Sequence, residues 1–339
     1  MTRFAIAGFR HGHVLSLVSA LRDHPDAECI AACEEDEATR RQLADSGKVT
    51  ITHDDLPSML AEVEFDVLGV GDCFARRGAL AIAGLEAGKH VLVDKPLCTD
   101  LEELARIGQL AAERGLSVGC MLSLRDVGAM IALRDAIGAD RIGAVQTISM
   151  SGQHPLLLGD RPAWYFEPGR HGGTINDIGI HAVDLIGWLT GREIVEIVAA
   201  RTWNAKAKAF PHFKGAGQFM LKLDNDGGVL CDVSYLAPNL LGYAARQYWR
   251  VTCHGERGVL ETSCGSKAIC MVRDSDKQEV LLPAAAPQGH QYLESFLQEI
   301  RGETEKAALT TQRVLQVSGI ALRVQEAADS GMVNVPVRG

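Results

Sequence analysis

The stretch Arg3–Val14, RFAIAGFRHGHV, decides the fold class of this chain. It begins with a short apolar run that ends in glycine, which is typical of a buried parallel strand. A helix is predicted next, because apolar residues recur at helical spacing, at Val14, Leu17, Val18 and Leu21. A strand, a glycine turn and a helix fit a dinucleotide site, since the helix N-terminus offers free N–H groups and a positive dipole to a phosphate.

Strand-like and helix-like segments alternate from this turn to about residue 121. The predicted strands are Arg3–Gly8, Cys29–Cys33, Val49–Thr52, Phe65–Gly71, His90–Val93 and Leu116–Met121. This alternation predicts an α/β fold with a doubly wound parallel sheet and helices on both of its faces. Such sheets bind their ligands beyond the carboxyl ends of the strands.

The pattern changes after residue 122, where a helix at Val127–Ile137 is followed by segments that alternate polar and apolar side chains. Strands are predicted at Ala144–Met150, Ile194–Thr202, Gly217–Leu223, Gly228–Tyr235, Tyr248–His254 and Ala268–Arg273. They predict an open, mainly antiparallel sheet with one face free to pack on a partner. We therefore predict a first domain at residues 1–122 and a second α/β domain at 123–339, whose two final helices can pack back on the first domain.

Composition narrows the class of protein. The chain has 339 residues, of which 47% are hydrophobic and 23% charged, as in ordinary globular proteins of about two domains. A net charge of −9 without a long basic run disfavours a nucleic-acid partner. No apolar run approaches the ~20 residues that cross a bilayer, and no signal peptide is evident. The nine cysteines form no C-x-x-C pair, so we expect reduced thiols, a cytoplasmic location and no bound metal.

The glycine turn departs from the dinucleotide pattern G-x-G-x-x-G. Gly8 fills its first position, but Arg10 and His13 stand at the second and third, and Gly12 is displaced by one residue. Arg10 is expected to meet a phosphate with its own charge, and His11 lies in the same turn. The alternative is a simple βα turn without a ligand.

Glu34 follows the second predicted strand, 22 residues after Gly12, close to the separation of about 20 that ribose-binding acids show. A carboxylate there accepts both hydroxyls of an NAD ribose and repels a 2′-phosphate. We therefore expect NAD rather than NADP. The alternative is that Glu34, Glu35 and Asp36 merely begin a solvated helix.

A second stretch, Gly172–Leu189 (GGTINDIGIHAVDLIGWL), is predicted to be helical and to carry the reaction chemistry. Asp177, His181 and Asp184 fall at i, i+4 and i+7 and so share one helix face. A carboxylate one turn before an imidazole is a suitable general acid/base unit. Alternatives are an ordinary helix with satisfied side chains, or a divalent-metal site that also uses His171.

Lys95 directly follows the strand His90–Val93 and precedes Pro96. A lysine at the carboxyl end of a strand points toward the ligand crevice, where its charge lowers the pKa of a substrate hydroxyl. The alternative is a lysine that faces solvent.

Two of these stretches resemble known signatures. Ala87–Leu97, AGKHVLVDKPL, is similar to the A-G-K-H-V-x-x-E-K-P signature of the Gfo/Idh/MocA oxidoreductases, the relatives of glucose–fructose oxidoreductase and inositol dehydrogenase. Gly172–Asp184 resembles that family's second signature, G-G-x-x-x-D-x-G-x-H-x-x-D. The resemblance covers nearly the whole chain.

The resemblance implies a Rossmann domain and an α/β domain whose open sheet forms an interface in a homodimer or homotetramer. It implies oxidation of a hydroxyl of a sugar, cyclitol or sugar acid with NAD(P), or the reverse reaction. By position, Lys95, Asp177 and His181 match the family's catalytic set. His181 would be the general base, Lys95 would stabilise the alkoxide, and Asp177 would orient the substrate or His181. Further candidates for the substrate pocket are Arg125, His154, Trp164 and Tyr165.

The chain also departs from the family pattern. Asp94 replaces the usual glutamate, and Asp72-Cys73-Phe74 stands where T-P-N is common. Asp72 is therefore expected beside the ribose or phosphate of the cofactor. Arg77 replaces a histidine and is expected either to pair with Asp72 or to meet the substrate. These departures keep a second hypothesis open, a non-catalytic NAD- or sugar-binding regulatory protein on the same fold.

Overall fold

A computed structural model describes residues 1–337 and separates the chain into two compact units. The first unit comprises Met1–Met121, Pro162–Gly172 and Tyr292–Gly319. The second comprises Leu122–Arg161, Gly173–Gln291 and Ile320–Gly339. Both units are therefore built from three separate stretches of sequence. Within the described residues, no helix combines the length and apolar character that crossing a membrane requires.

The first unit contains a five-stranded parallel sheet in the order β2-β1-β3-β4-β5. Its strands are β1 (Thr2–Ala7), β2 (Ala27–Cys33), β3 (Val67–Val70), β4 (His90–Val93) and β5 (Val118–Cys120). The helices between and after them are α1 (Val14–Arg22), α2 (Glu37–Ser46), α3 (Leu56–Glu62), α4 (Phe74–Glu86) and α5 (Leu101–Arg114). The predicted parallel α/β sheet is confirmed.

The strand predicted at Val49–Thr52 is wrong. Its neighbourhood contributes a single bridge, between Cys33 and His53. Only two of its four residues are apolar, and both stay half-exposed, so the segment has little surface to bury as a strand. Helix α3, which was not predicted, begins nearby because the Asp55 side chain accepts the N–H of Ser58 at 2.7 Å as an N-cap.

Strand order reverses between β1 and β3, and this is the point where open α/β sheets bind ligands. The backbones that leave these two strands lie very close together. Gly8 has a φ of +79°, and a Cβ atom there would lie 2.5 Å from the Cβ of Asp72. A Cβ at Gly71 would lie 2.1 Å from the carbonyl oxygen of Gly8. Glycine is therefore required on both sides of the reversal.

Arg77 of α4 has a fully buried side chain, which binds backbone carbonyls at the carboxyl ends of β3 and β4. Its Nε donates to the carbonyl of Gly71 at 2.8 Å, and its Nη1 donates to the carbonyls of Asp94 and Lys95. It also pairs with the Asp94 carboxylate at 2.7 Å. Arg77 was expected to pair with Asp72 or to meet the substrate. Instead its charge is balanced by Asp94, and its donors hold the turn that carries Lys95.

The second unit contains a nine-stranded sheet in the order β13-β12-β11-β10-β6-β9-β8-β7-β14. The strands are β6 (Val145–Pro155), β7 (Ile194–Trp203), β8 (Ala216–Leu223), β9 (Gly228–Ala237), β10 (Arg250–Gly255), β11 (Gly258–Ser263), β12 (Ala268–Arg273), β13 (Val280–Pro283) and β14 (Val333–Pro336). Every pair is antiparallel except β6 with β9. The predicted mainly antiparallel sheet is confirmed, although β11, β13 and β14 were not predicted.

Helices α6 (Gly128–Gly138) and α7 (Ile180–Thr190) pack against this sheet. Helices α8 (Gln291–Ile300) and α9 (Thr311–Ser330) lie between β13 and β14 in the sequence, and the boundary between the units falls inside α9. On the sheet's other face several apolar side chains remain exposed, among them Met220, Leu230, Leu236 and Leu281. Assembly of copies through this face stays a prediction.

The burial of His11, in the glycine turn, makes the stability of the folded chain sensitive to acid. Its Nδ1 lies 2.7 Å from Oδ2 of Asp94, yet burial lowers the pKa of His11 to about 3. The unfolded chain takes up this proton near pH 6.5. The unfolded state therefore binds more protons between these two values, and stability is lost as the pH falls through this window.

We expect a drop from pH 6.5 to 5.5 to cost the wild-type chain about 1 kcal/mol more stability than a His11→Gln variant. Urea unfolding at the two pH values measures the difference. A His254→Gln variant is the control, because His254 is exposed on β10, and it should keep the wild-type pH dependence. A His11→Gln variant with the wild-type pH dependence would show that His11 is not held neutral.

Candidate functional site

Glu34 lies directly after β2 and contacts the glycine turn of the first unit. One carboxylate oxygen accepts the N–H of Phe9, and the other accepts the N–H of Asp36 at 2.8 Å. The side chain is buried, and burial raises the pKa of Glu34 although the two N–H donors oppose this shift. Each carboxylate oxygen can accept a second hydrogen bond, and the binding of ribose hydroxyls by Glu34 stays a prediction. The alternative of a solvated helix start is wrong for this residue.

Asp72 forms ion pairs with two arginines. Arg10 binds both of its oxygens, with 2.9 Å between the second nitrogen and oxygen, and Nε of Arg76 lies 3.2 Å from Oδ2. Asp72 also has a left-handed backbone with φ of +66°, and its Oδ1 accepts the N–H of Cys73. The charge of Asp72, which the family pattern lacks, is thus balanced by these two arginines. The guanidinium of Arg10 is therefore already paired with a carboxylate.

The first turn of α1 fits an anionic group. No side chain caps the helix, and its first turn contains no acidic residue. A Cβ atom at Gly12 would meet nothing within 4 Å, so the turn is open at this position. Together with Glu34, the turn fits a dinucleotide, with pyrophosphate at the helix N-terminus and ribose at the carboxylate.

Trp164 and Tyr165 lie in a short 3₁₀ helix, Ala163–Phe166, that packs over the glycine turn within the first unit. Nε1 of Trp164 donates to the carbonyl of Arg10 at 3.1 Å. Both rings lie edge-on to Phe74, with centroids 5.1 and 5.5 Å away. Both side chains are therefore part of a buried aromatic cluster, and their contact with a substrate stays a prediction.

Lys95 is 4% exposed, so the alternative of a solvent-facing lysine is wrong. Its Nζ lies 5.9 Å from the centroid of the Phe74 ring, and its carbonyl is bound by Arg77. The neighbouring Asp94 is buried as well. Burial alone would raise the pKa of Asp94, but the charge of Arg77 outweighs it and holds that pKa below its usual range.

In the second unit, the helix predicted over Gly172–Leu189 is interrupted. A π-helix occupies Ile175–Gly179, where the N–H of Ile180 reaches back to the carbonyl of Ile175, and α7 follows it. Asp177 lies in the π-helix and His181 in the first turn of α7, and both are buried. Single-turn π-helices are frequent at functional sites, because they shift the register of the side chains that follow.

Asp177 is held by Tyr235, a residue that the sequence analysis did not select. The Tyr235 hydroxyl donates to Oδ2 of Asp177, and the ring lies 6.3 Å from that of His154. The guanidinium of Arg161 covers the same ring at 5.1 Å. Tyr235 could have been found from the alternation along β9, which turns Val229, Cys231, Val233 and Tyr235 toward one buried face.

His181 packs against Trp249, another residue that was not predicted from the sequence as part of the site. Their ring centroids lie 5.8 Å apart in an edge-on arrangement. Trp249 is fully buried with a left-handed backbone, φ +48°. Its ring fits only because residue 152 is glycine, where a Cβ atom would lie 2.9 Å from the indole carbons.

Arg125, a predicted pocket residue, forms a buried bidentate ion pair with Asp184, with Nε 2.8 Å from Oδ2. Asp184 is thus paired with a cation and Asp177 with a tyrosine, which disfavours the metal site proposed for these acids.

A second group of potential metal ligands lies in the first unit, where ligand atoms of His11, His13 and Asp94 come within 4.8 Å of one another. However, the Arg77 guanidinium lies 2.7 Å from the Asp94 carboxylate and 3.1 Å from Nδ1 of His11. Its positive charge opposes a metal cation at this place.

Two parts of the chain match known protein families. Residues 2–121 match the family described as "Oxidoreductase family, NAD-binding Rossmann fold", and residues 130–261 match "GFO/IDH/MocA C-terminal domain". The chain is 26% identical over 236 residues to 1-carboxy-3-chloro-3,4-dihydroxycyclohexa-1,5-diene dehydrogenase of Comamonas testosteroni, an alignment covering 69% of this chain and 57% of that protein. It is 31% identical over 188 residues to the myo-inositol dehydrogenase Hyg17 of Streptomyces leeuwenhoekii, covering 54% and 53%.

The chain therefore spans little more than half the length of these relatives. Among solved structures, the WlbA dehydrogenase of Bordetella pertussis, in complex with NADH and UDP-GlcNAcA, matches 99% of each chain with a TM-score of 0.77 and 20% identity. That likeness shows the fold. With a match in each half of the sequence, this chain belongs to the Gfo/Idh/MocA family of oxidoreductases.

Proposed function

We propose that the protein is an NAD-dependent dehydrogenase that oxidises a hydroxyl group of a sugar, cyclitol or sugar acid, or catalyses the reverse reduction. The observation that carries this proposal is the buried Asp177, held by the Tyr235 hydroxyl beside His154, in the family's C-terminal domain. Relatives whose names include myo-inositol dehydrogenase support the substrate class. The relatives reported above carry enzyme names, and none supports the regulatory alternative.

Glu34 and the first turn of α1 would hold the cofactor. The Glu34 carboxylate accepts the ribose hydroxyls, and the uncapped N–H groups of α1 bind the pyrophosphate. The Glu34 carboxylate repels a 2′-phosphate, which favours NAD over NADP. When bound there, the nicotinamide would supply the acceptor for the hydride of the substrate carbon.

The side chains of the chain itself move the proton and stabilise charge. His181 takes the proton of the substrate hydroxyl, and Lys95 stabilises the alkoxide that forms. Asp177 accepts a hydrogen bond from the substrate, with its orientation set by Tyr235. His154, Arg125, Trp164 and Tyr165 are proposed to complete the pocket.

The exposed apolar side chains on the outer face of the second sheet favour a homodimer or homotetramer. This part of the proposal is independent of the reaction.

Fluorescence titration tests the cofactor preference. We expect NADH to bind at least about tenfold more tightly than NADPH, a difference of about 1.4 kcal/mol. A Glu34→Ala variant should bind NADH about tenfold more weakly and lose most of the discrimination, because it loses both the acceptor and the repulsion. Glu37→Ala is the control, since Glu37 is exposed at the start of α2. Equal binding of the two nucleotides by the wild type would refute the NAD preference. If neither binds, assay of the denatured supernatant decides whether a nucleotide was already bound.

Turnover of a panel of inositols, sugars and sugar acids tests the catalytic roles. His181→Asn and Lys95→Met should each lower kcat by about 10² to 10⁴-fold, because proton transfer and charge stabilisation act on the transition state. Their affinity for NADH should stay within about threefold of the wild type. Lys267→Met, at an exposed lysine, should keep full activity. Wild-type kcat in either catalytic variant would contradict the assignment.

A further inference from the structure

The second of the two glycines that open the second signature leaves room for a side chain from α9. Gly172 and Gly173 both have left-handed backbones, with φ of +71° and +96°. A Cβ atom at Gly173 would lie 2.2 Å from the amide carbon of Gln325. Both glycines are thus needed for their backbone conformation, and Gly173 is needed also for the space that Gln325 occupies.

Gln325 satisfies the backbone at the start of the π-helix. Its Oε1 accepts the N–H of Ile175 at 2.9 Å and that of Asn176 at 3.4 Å. The first N–H groups of a helix have no partner within the helix, and Thr174 at the N-cap position provides no side-chain cap. Gln325 is 7% exposed, so it replaces both a capping residue and water.

The orientation of the Gln325 amide is fixed by its other end. Its Nε2 donates to Oδ2 of Asp329 at 2.8 Å, one helical turn further along α9. Asp329 in turn accepts from Nζ of Lys214 at 2.8 Å. Since a carboxylate can only accept, Asp329 forces the amide nitrogen toward itself and the amide oxygen toward the π-helix.

These contacts bear on Asp177, which lies one residue beyond the N–H groups that Gln325 binds. The N–H of Asp177 donates to the carbonyl of Gly173 at 3.0 Å, so its backbone belongs to the turn that Gln325 holds. Its side chain is held from β9 by Tyr235. A π-helix is rarer than an α-helix of the same length, so tertiary contacts of this kind maintain its register.

We propose that Gln325 is a positioning residue for the reaction: its amide oxygen maintains the π-helix and thereby aims the Asp177 carboxylate at the substrate. The inference rests on the proposed function for the role of Asp177. Gln325 itself touches neither substrate nor cofactor in this scheme.

The test compares kcat, KM and NADH affinity, each expressed per folded molecule as determined by near-UV circular dichroism. Gln325→Met removes the acceptor at nearly constant volume, and we expect kcat to fall about 10- to 100-fold while NADH affinity changes less than twofold. The matched control is Gln312→Met, at an exposed glutamine of the same helix, which should behave as the wild type.

An exchange of partners separates positioning from simple loss of stability. Gln325→Glu keeps an acceptor for the two N–H groups but places a carboxylate against Asp329, so kcat should fall. The double variant Gln325→Glu/Asp329→Asn restores a donor at residue 329 and should recover at least about tenfold of the lost kcat. A purely structural role predicts that the folded fraction of every variant has the wild-type kcat.

The outcomes distinguish the two proposals. Suppose that the wild type binds NADH and turns over a polyol, and that the Gln325→Met variant has the same kcat. This result overturns the positioning role alone. A double variant no more active than Gln325→Glu overturns it as well. A wild-type protein that binds no nicotinamide cofactor, and holds none when purified, overturns the proposed function instead.

Discussion

The buried charge of Arg77 constrains how the carboxyl ends of two strands of the first unit are arranged. A guanidinium without contact to water costs several kcal/mol unless its charge and its donors are matched. Here Asp94 balances the charge, and carbonyls at the ends of β3 and β4 accept the donors. The strand ends therefore cannot move apart without leaving a cation unpaired, and Lys95 is carried on the same turn. The contacts of position 77 are thus with the backbone of this turn and with the Asp94 carboxylate.

Charge balance also explains how the glycine turn departs from the family pattern. An arginine in place of the second glycine and an aspartate in place of a neutral threonine would each be unfavourable alone. Together Arg10 and Asp72 form a bidentate pair, which Arg76 extends. Glu34 still reaches the turn through the N–H of Phe9. The two departures are therefore best understood as one substitution of a neutral contact by an ion pair.

The second unit holds the carboxylate of Asp177 differently. Asp177 lies in a π-helix, and Gln325 accepts a backbone N–H at the start of that helix. The carboxylate of Asp177 accepts a hydrogen bond from Tyr235. Tyr235 and Gln325 come from β9 and α9, which both follow Asp177 in the sequence. The orientation of a single carboxylate thus depends on two distant elements of the same unit, which is the arrangement expected where a side chain must be preorganised.

The sequence by itself determined the two sheets, the family and the position of Glu34, because these follow from short-range hydrophobic patterns and from motifs of fixed spacing. It failed at Val49–Thr52, where the two apolar residues stay half-exposed and only a single bridge forms nearby, between Cys33 of β2 and His53. It also missed the π-helix and the roles of Tyr235 and Gln325. The role of Tyr235 depends on a hydrogen bond between residues that are 58 positions apart in the sequence, and that of Gln325 on one between residues 150 positions apart. Only the tertiary structure decided them, since packing brings such groups together and no local spacing in the chain encodes their contact.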